Sequence, residues 1–353
     1  MPRVLVLPAG TELLADPNDN LLKLLRRHQV PIRYSCKSGE CGSCKCVLES
    51  GRVELKSYDP KALPEKQRQA GIILACRAIV DEDITIRLTD SDDLIVHPER
   101  KLLCRVVALQ PLTHDIVALR LHIEYADMGG VPFTFSAGQY AQIVVDVDGQ
   151  EIARDFSMAS TPVDAEYDDI LEFHIRRTPT GALSSLLGTV IRPGAQVLVR
   201  GPMGTSYFRP RHDGPLYAVG GGTGLAPMLS VVQTALDNGK LEPVALFAGF
   251  RNSADVYGLE RLEQLRREHR NFRYVIALDE PRPDDPPQAI ARPLSAVLFE
   301  QVSDFSGAKV YLAGPPAMVE SLSASLLQRG LAERDLHADA FYPPLPAEAA
   351  TPA

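Results

Sequence analysis

Hydrophobic positions along the first ninety residues fall into short groups with different spacings. Val4, Leu5, Val6 and Leu7 read as a strand, and with Leu13 and Leu14 they predict a hairpin. Leu21, Leu22, Leu24 and Leu25 sit at helical spacing, which predicts a short helix ending before Pro31. Ile84, Ile86 and Leu88 alternate with Thr85 and Arg87, the pattern of a half-buried strand. Strands with one helix predict a β-grasp domain over residues 1–92. The acidic run 90–93 with His97 and Pro98 marks a linker over 93–101.

From Leu102 the pattern becomes all-β. Segments 116–123 and 170–176 alternate, 138–149 carries a strand and a turn, and Gly and Pro recur between them. Short strands so punctuated predict an antiparallel β-barrel over 102–212. Beyond Pro215 apolar runs at 216–219, 244–250, 272–278 and 310–313 are mostly separated by helical patterns at 228–236, 259–269 and 318–329. Such alternation predicts a parallel-sheet α/β domain over 213–342. Residues 343–353, rich in Pro and Ala, read as a disordered tail. The expected fold class is therefore multi-domain: α+β, then β, then α/β.

Bulk properties narrow the function. The chain has 353 residues, enough for two or three domains. Its net charge of -8 and pI of about 5.6 argue against a nucleic-acid surface. The apolar run at 4–7 is too short for a signal peptide, and no eighteen-residue apolar run occurs. The expectation is a cytoplasmic protein with neither membrane nor nucleic acid as partner.

The chemistry centres on Cys36, Cys41 and Cys44, at C-x4-C-x2-C spacing, with Cys76 thirty-two residues on. This is the plant-type arrangement for a 2Fe-2S cluster. Ser38, Gly39, Gly42 and Ser43 are small, as a loop wrapped around a cluster requires, and their amides can face sulfur. Disulfides do not suit the expected compartment, and a zinc ribbon would need a near partner for Cys76. Cys46 and Cys104 fall in apolar runs and read as packed thiols.

Four further stretches have ligand-binding character. Arg154-Asp-Phe-Ser follows a strand, where an arginine can clamp a phosphate and an aromatic can lie on a flat ring; alone it is a weak signal, since such residues at a strand end are more often structural. Gly181, Ala182, Leu183 and Ser184 stand at a predicted helix start, where free amides bind anions. Gly220-Gly-Gly-Thr-Gly-Leu-Ala-Pro opens a helix after a strand, either as a tight turn or as a pyrophosphate loop. Val310-Tyr-Leu-Ala-Gly-Pro-Pro-Ala-Met ends a later strand in the same way, so both glycine turns should face one crevice.

Taken in order, these motifs resemble the ferredoxin–NAD(P)H reductase family in the fused form serving bacterial aromatic-ring oxygenases, of naphthalene-dioxygenase type. Tyr34-Ser-Cys, Pro111-Leu-Thr-His-Asp-Ile, the stretch 220–229 and Ala338-Asp-Ala-Phe-Tyr-Pro carry the likeness. The resemblance implies that Arg154 holds the FAD pyrophosphate, Phe156 lies on the flavin and Ser157 stands near its N5. It implies that Gly181 to Ser184 bind the FAD pyrophosphate, and that Gly222, Thr223, Gly224 and Pro227 form the nicotinamide-dinucleotide loop. Gly314, Pro315 and Met318 would wall the nicotinamide, and Phe341 would be the C-terminal aromatic beside the flavin. Phe156 replaces the family's usual Tyr, and Ala313 its usual Cys.

Electron counting joins the sites. A hydride carries two electrons and a 2Fe-2S cluster accepts one, so FAD must lie between NAD(P)H and the cluster. Asp279 and Glu280 follow a strand where a 2′-phosphate binder of this family would carry Ser and Arg. Carboxylates there disfavour a third phosphate charge, although both also suit plain exposure. Arg251 remains a phosphate partner, so NADH is the expected donor and NADPH a second one. The expected acceptor is a Rieske-type ferredoxin or the terminal oxygenase of a dioxygenase system. The alternatives are a di-iron monooxygenase or another oxygenase and, remotely, a non-enzymatic redox sensor.

Overall fold

A computed structural model describes residues 1–88, 94–124, 132–280, 282, 285 and 288–342. The acidic run 90–93, the first linker residue and the tail 343–353 lie outside the described residues. The chain divides into two compact units, Met1–Val96 joined by the segment from Ala340, and His97–Asp339.

The first unit contains a five-stranded sheet in the order Thr11–Leu14, Arg3–Leu7, Ile84–Arg87, Lys45–Ser50, Ile72–Leu74. Only the Arg3–Leu7 and Ile84–Arg87 pair is parallel. The predicted helix is Leu21–Arg27, capped by the Asn20 side chain, which accepts from the Lys23 amide. Its four leucines are all buried, and full burial of a leucine contributes about 1.5–3 kcal/mol. A mixed sheet with this helix is the β-grasp arrangement.

The second unit begins with a six-stranded antiparallel sheet in the order Gln150–Ser157, Tyr140–Val147, Gln196–Met203, Arg100–Pro111, Ile116–Ile123, Ile170–Arg176. Met158 bridges to Phe173, so the first strand meets the last and the sheet closes into a barrel. Leu102, Leu119, Ile143, Phe173 and Val199 fill its interior. Arg154 and Phe156 lie within the strand Gln150–Ser157 instead of following one, and Thr161 then caps the helix Pro162–Tyr167 in a capping box with Asp164.

The α/β part has the strand order Ala289–Ile290, Phe272–Leu278, Val244–Phe250, Leu216–Gly221, Lys309–Gly314, Leu336–Ala340, the first five parallel. The crossover helices Leu225–Asp237, Leu259–Glu268 and Leu294–Gln301 connect them. Leu216–Gly221 has the next strand on one side and a much later strand on the other, so the chain order reverses there and opens a crevice at the strand ends. Ser230 in the first crossover helix donates to the Ser160 carbonyl at 2.7 Å, tying this part to the barrel. Among the described residues no helix is long and apolar enough to cross a membrane.

Candidate functional site

The cysteine loop is held by backbone geometry. A Cβ on Gly42 would stand 2.8 Å from the Ala62 carbonyl oxygen, and one on Gly39 2.8 Å from Arg77 Cγ, so neither position admits a side chain. The tight path turns amides onto sulfur. Glu40 and Cys41 amides donate to Cys36 Sγ at 3.4 Å, the Ser43 amide to Cys41 Sγ at 3.5 Å, and the Cys76 amide to Cys44 Sγ at 3.4 Å.

The four thiols form two couples. The Cys41 thiol donates to Cys36 and, with Ser38 assisting against the effect of burial, holds Cys36 down at about 4. That same bond, then burial, raises Cys41. Cys76 likewise donates to Cys44, lowering Cys44 and rising itself. Among the described residues no three of these sulfurs lie within 4.8 Å of one another. A tetrahedral zinc at 2.3 Å from four sulfurs would bring all of them within about 4 Å, so the donor set suits two metals sharing two couples, as in a 2Fe-2S cluster. Cys46 and Cys104 differ: both are buried, and burial alone leads the upward shift of each, Cys104 to about 12.

On the barrel, Arg154 and Phe156 share one face of their strand. Arg154 is half-buried, donates to the Ala153 carbonyl at 2.7 Å, and has no carboxylate partner among the described residues. Phe156 is partly buried against the barrel core. Gly181 to Ser184 lead into a 3-10 turn, Ser184–Leu186, where the expectation was a full helix start. A Cβ on Gly181 would stand 2.2 Å from Ser184 Oγ, and the Ala182 and Leu183 amides donate to no group among the described residues. An unpaired half-buried guanidinium, two open amides and a partly exposed ring are a donor set that fits a flavin dinucleotide.

The glycine turns do meet. A Cβ on Gly224 would stand 2.0 Å from the Ala313 carbonyl oxygen, one on Gly221 2.5 Å from Met318 Sδ, and one on Gly314 2.9 Å from the Gly221 carbonyl oxygen. Pro315 Cδ closes the same corner at 3.2 Å from that Cβ position of Gly221. Gly222 and Thr223 stay half-exposed, and Pro227 lies buried in the first turn of the helix Leu225–Asp237, which has no side-chain cap. An uncapped helix start behind a glycine-rich loop fits a pyrophosphate. Ala313 is fully buried. At the neighbouring strand ends the Asp279 amide donates to Phe250 and the Glu280 amide to Arg251; all three side chains of Arg251, Asp279 and Glu280 are exposed. Phe341 is half-buried and belongs with the first unit.

Three residues absent from the sequence expectations enter here. Asp339 is buried and accepts from Ser157 Oγ at 3.2 Å, across 182 positions. Arg176 pairs with Asp115 at 2.7 Å and brings a guanidinium nitrogen within 3.4 Å of the Cβ position of Gly222. Tyr257 donates to the Gly222 carbonyl at 3.4 Å and packs edge-on against His174 and Phe250. Signals for the last two were only general: Arg176 ends an alternating strand, and Tyr257 is one aromatic among many.

A two-couple cysteine cage, a barrel with a dinucleotide donor set and a switch-point glycine crevice in one chain define an electron-transfer flavoprotein with an iron–sulfur centre. Three family models match in that order: the 2Fe-2S iron-sulfur cluster binding domain over 4–81, the oxidoreductase FAD-binding domain over 103–208 and the oxidoreductase NAD-binding domain over 218–324. The chain is 37% identical over 340 residues to the ferredoxin–NAD(P)+ reductase component of the naphthalene 1,2-dioxygenase/salicylate 5-hydroxylase systems of Ralstonia sp., covering 96% of this chain and 98% of that protein. It is 37% identical over 349 residues to the corresponding naphthalene 1,2-dioxygenase component of Pseudomonas putida, covering 94% and 99%. The crystal structure of the Amycolatopsis cytochrome P450 reductase GcoB superposes with a TM-score of 0.80 at 32% identity, over 97% of this chain and 99% of that one. The chain belongs to the family of ferredoxin–NAD(P)+ reductase components of oxygenase systems. It is an oxidoreductase that uses a 2Fe-2S cluster, FAD and a nicotinamide dinucleotide.

Proposed function

We propose that this reductase serves a bacterial aromatic-ring-hydroxylating dioxygenase, taking electrons from NADH and delivering them to a Rieske-type ferredoxin or to the terminal oxygenase itself. The observation that carries the proposal is the likeness, over nearly the whole length, to two naphthalene dioxygenase reductase components. The same device serving another oxygenase is the second reading, favoured by the likeness to a P450 reductase. The domain division would be 1–92, 93–101, 102–212 and 213–342, with 343–353 as a tail, and the compartment the cytoplasm.

Bound FAD would supply the conversion of one two-electron delivery into two single-electron ones. The chain's own residues would do the rest. Arg154 and the Ala182 and Leu183 amides would hold the flavin diphosphate, and Phe156 would cover the ring. Ser157, its hydroxyl oriented by donation to Asp339, would hold a proton at the seam between barrel and crevice. Gly222, Thr223 and Gly224, backed by Pro227, would take the nicotinamide dinucleotide's pyrophosphate. Gly314, Pro315 and Met318 would keep water from the reacting face. Asp279, with Glu280 beside it, would disfavour NADPH, while Arg251 would contact phosphate.

Reconstitution tests the proposal. Purified protein, NADH, a Rieske-type ferredoxin and a naphthalene-type oxygenase should yield a cis-dihydrodiol. Product formation only when a P450 or di-iron oxygenase is supplied would transfer the proposal to the second reading.

A further inference from the structure

Charge is unevenly distributed between the two parts of the chain. Residues 97–353 hold 23 Lys and Arg against 31 Asp and Glu, whereas 1–96 hold fourteen of each. Within 1–96 an excess of cations surrounds the cysteines. Lys45 directly follows Cys44 and Arg77 directly follows Cys76. Lys45 Cε lies 3.4 Å from the Cβ position of Gly42, and Arg77 Cγ and Cδ lie 2.8 and 2.9 Å from that of Gly39, so both side chains lie on the cysteine loop.

The stretch 56–62 completes this rim. The Lys56 amide donates to the Arg77 carbonyl at 2.9 Å, the Asp59 amide to the Gly39 carbonyl at 3.1 Å, and the Ala62 carbonyl abuts Gly42. Lys56 and Lys61 are exposed. The rim thus has five cations, Lys37, Lys45, Lys56, Lys61 and Arg77, against two acids, Glu40 and Asp59. Both acids are engaged locally: Glu40 accepts the Ser38 hydroxyl and Asp59 the Lys61 amide, each at 2.8 Å. Among the described residues no carboxylate pairs with Lys45, Lys56, Lys61 or Arg77.

Toward the opposite end of the sheet, by contrast, acids are matched by arginines. Glu49 lies four residues along its strand from Lys45, about 13 Å at the usual rise. It pairs with Arg87 there, Glu82 pairs with Arg52, and Asp83 pairs with Arg3. An oxidised 2Fe-2S centre with four thiolates carries about −2, which the rim's excess of cations outweighs.

We propose that this cationic rim is the docking surface for the electron acceptor, and that the acceptor is a protein presenting carboxylates around its own redox centre. The proposal rests on the reading that electrons leave through the cluster held by Cys36, Cys41, Cys44 and Cys76. One electron passes per encounter, from the reduced cluster to the acceptor. Because Lys56 and Lys61 stand in solvent, their effect is on the rate of encounter and on orientation, and salt screens it over about 10 Å.

The test takes full-length holoprotein, reduces its cluster with dithionite so that the NADH route is not needed, removes the excess dithionite by anaerobic gel filtration, and follows electron transfer by stopped flow. The acceptors are cytochrome b5, whose haem edge is ringed by carboxylates, and cytochrome c, whose haem edge is ringed by lysines. The cytochrome b5 rate should fall about tenfold between about 20 and about 500 mM NaCl, and the cytochrome c rate should rise. The double variant Lys56→Glu/Lys61→Glu should slow cytochrome b5 reduction at low salt and flatten its salt dependence, with NADH-driven ferricyanide reduction unchanged. A cytochrome b5 rate indifferent to both salt and the variant, or a cytochrome c rate that salt depresses, overturns the proposal. Failure of NADH to bleach the cluster in the same preparation would count instead against the reductase reading, and the dithionite comparison would still decide the docking surface.

Discussion

The cysteine loop and the glycine crevice, each proposed to take an anionic group, are both tight corners of backbone, yet they are built in opposite ways. In the loop the side chains carry the chemistry: four sulfurs in two couples, with amides donating to Cys36, Cys41 and Cys44. In the crevice glycines keep the space clear, and Gly221, Gly224 and Gly314 let main chain meet main chain or Met318. The first corner should therefore respond to a change of functional group, the second to a change of volume.

The largest expected effect is at the loop. Cys41→Ser keeps the size and removes a sulfur, so visible iron–sulfur absorption should vanish and cytochrome c reduction should fall by about a hundredfold, with flavin reduction by NADH retained. Unchanged cytochrome c reduction would place the cluster outside the electron route. Gly224→Ala comes next. Its Cβ would stand 2.0 Å from the Ala313 oxygen, so the corner must open, and KM for NADH should rise about tenfold, with about 1–3 kcal/mol lost in denaturant unfolding. An unaltered KM would mean that the dinucleotide does not lie on this loop.

Smaller effects sharpen the contrast. Asp339→Asn keeps the shape beside Ser157 and removes a charge, and flavin reduction should slow about tenfold at unchanged FAD content, read by stopped flow. Asp279→Ser should raise the ratio of NADPH to NADH efficiency a few-fold, about 1 kcal/mol for one exposed charge, and high salt should erase the gain. The smallest effect concerns a thiol outside the loop. Burial holds Cys104 neutral to about 12, from an ordinary 9.0. Between those values the unfolded chain has released the proton and the folded chain has not, so stability falls as pH rises, by up to about 1.4 kcal/mol per pH unit. Cys104→Ala should lessen the loss between pH 8 and about 10 in urea titrations.

Much of this was legible because the chemistry is local. C-x4-C-x2-C spans nine positions, the helix Leu21–Arg27 shows its leucine spacing, and the glycine runs follow strands whose apolar stretches are continuous. The unread parts break those local rules. The strand Leu336–Ala340 buries His337 and Asp339 and leaves Leu336, Ala338 and Ala340 half-covered, so its alternation points the polar residues inward and no hydrophobic period marks it. That inversion is what brings Asp339 to Ser157. The helix Pro162–Tyr167 is six residues long and carries its signal in the cap, Thr161 with Asp164, more than in its faces. Arg176 and Tyr257 reach the nucleotide loop through tertiary packing, which no spacing along the chain encodes.

The corner where Gly224 meets residue 313 has one more implication. The contact is made by a carbonyl oxygen, which every amino acid possesses. The joint therefore does not depend on which side chain stands at 313, although that position is fully buried and a larger side chain there must find room. Any change of side chain at 313 would act through the closed interior behind the crevice and leave the joint's own atoms in place.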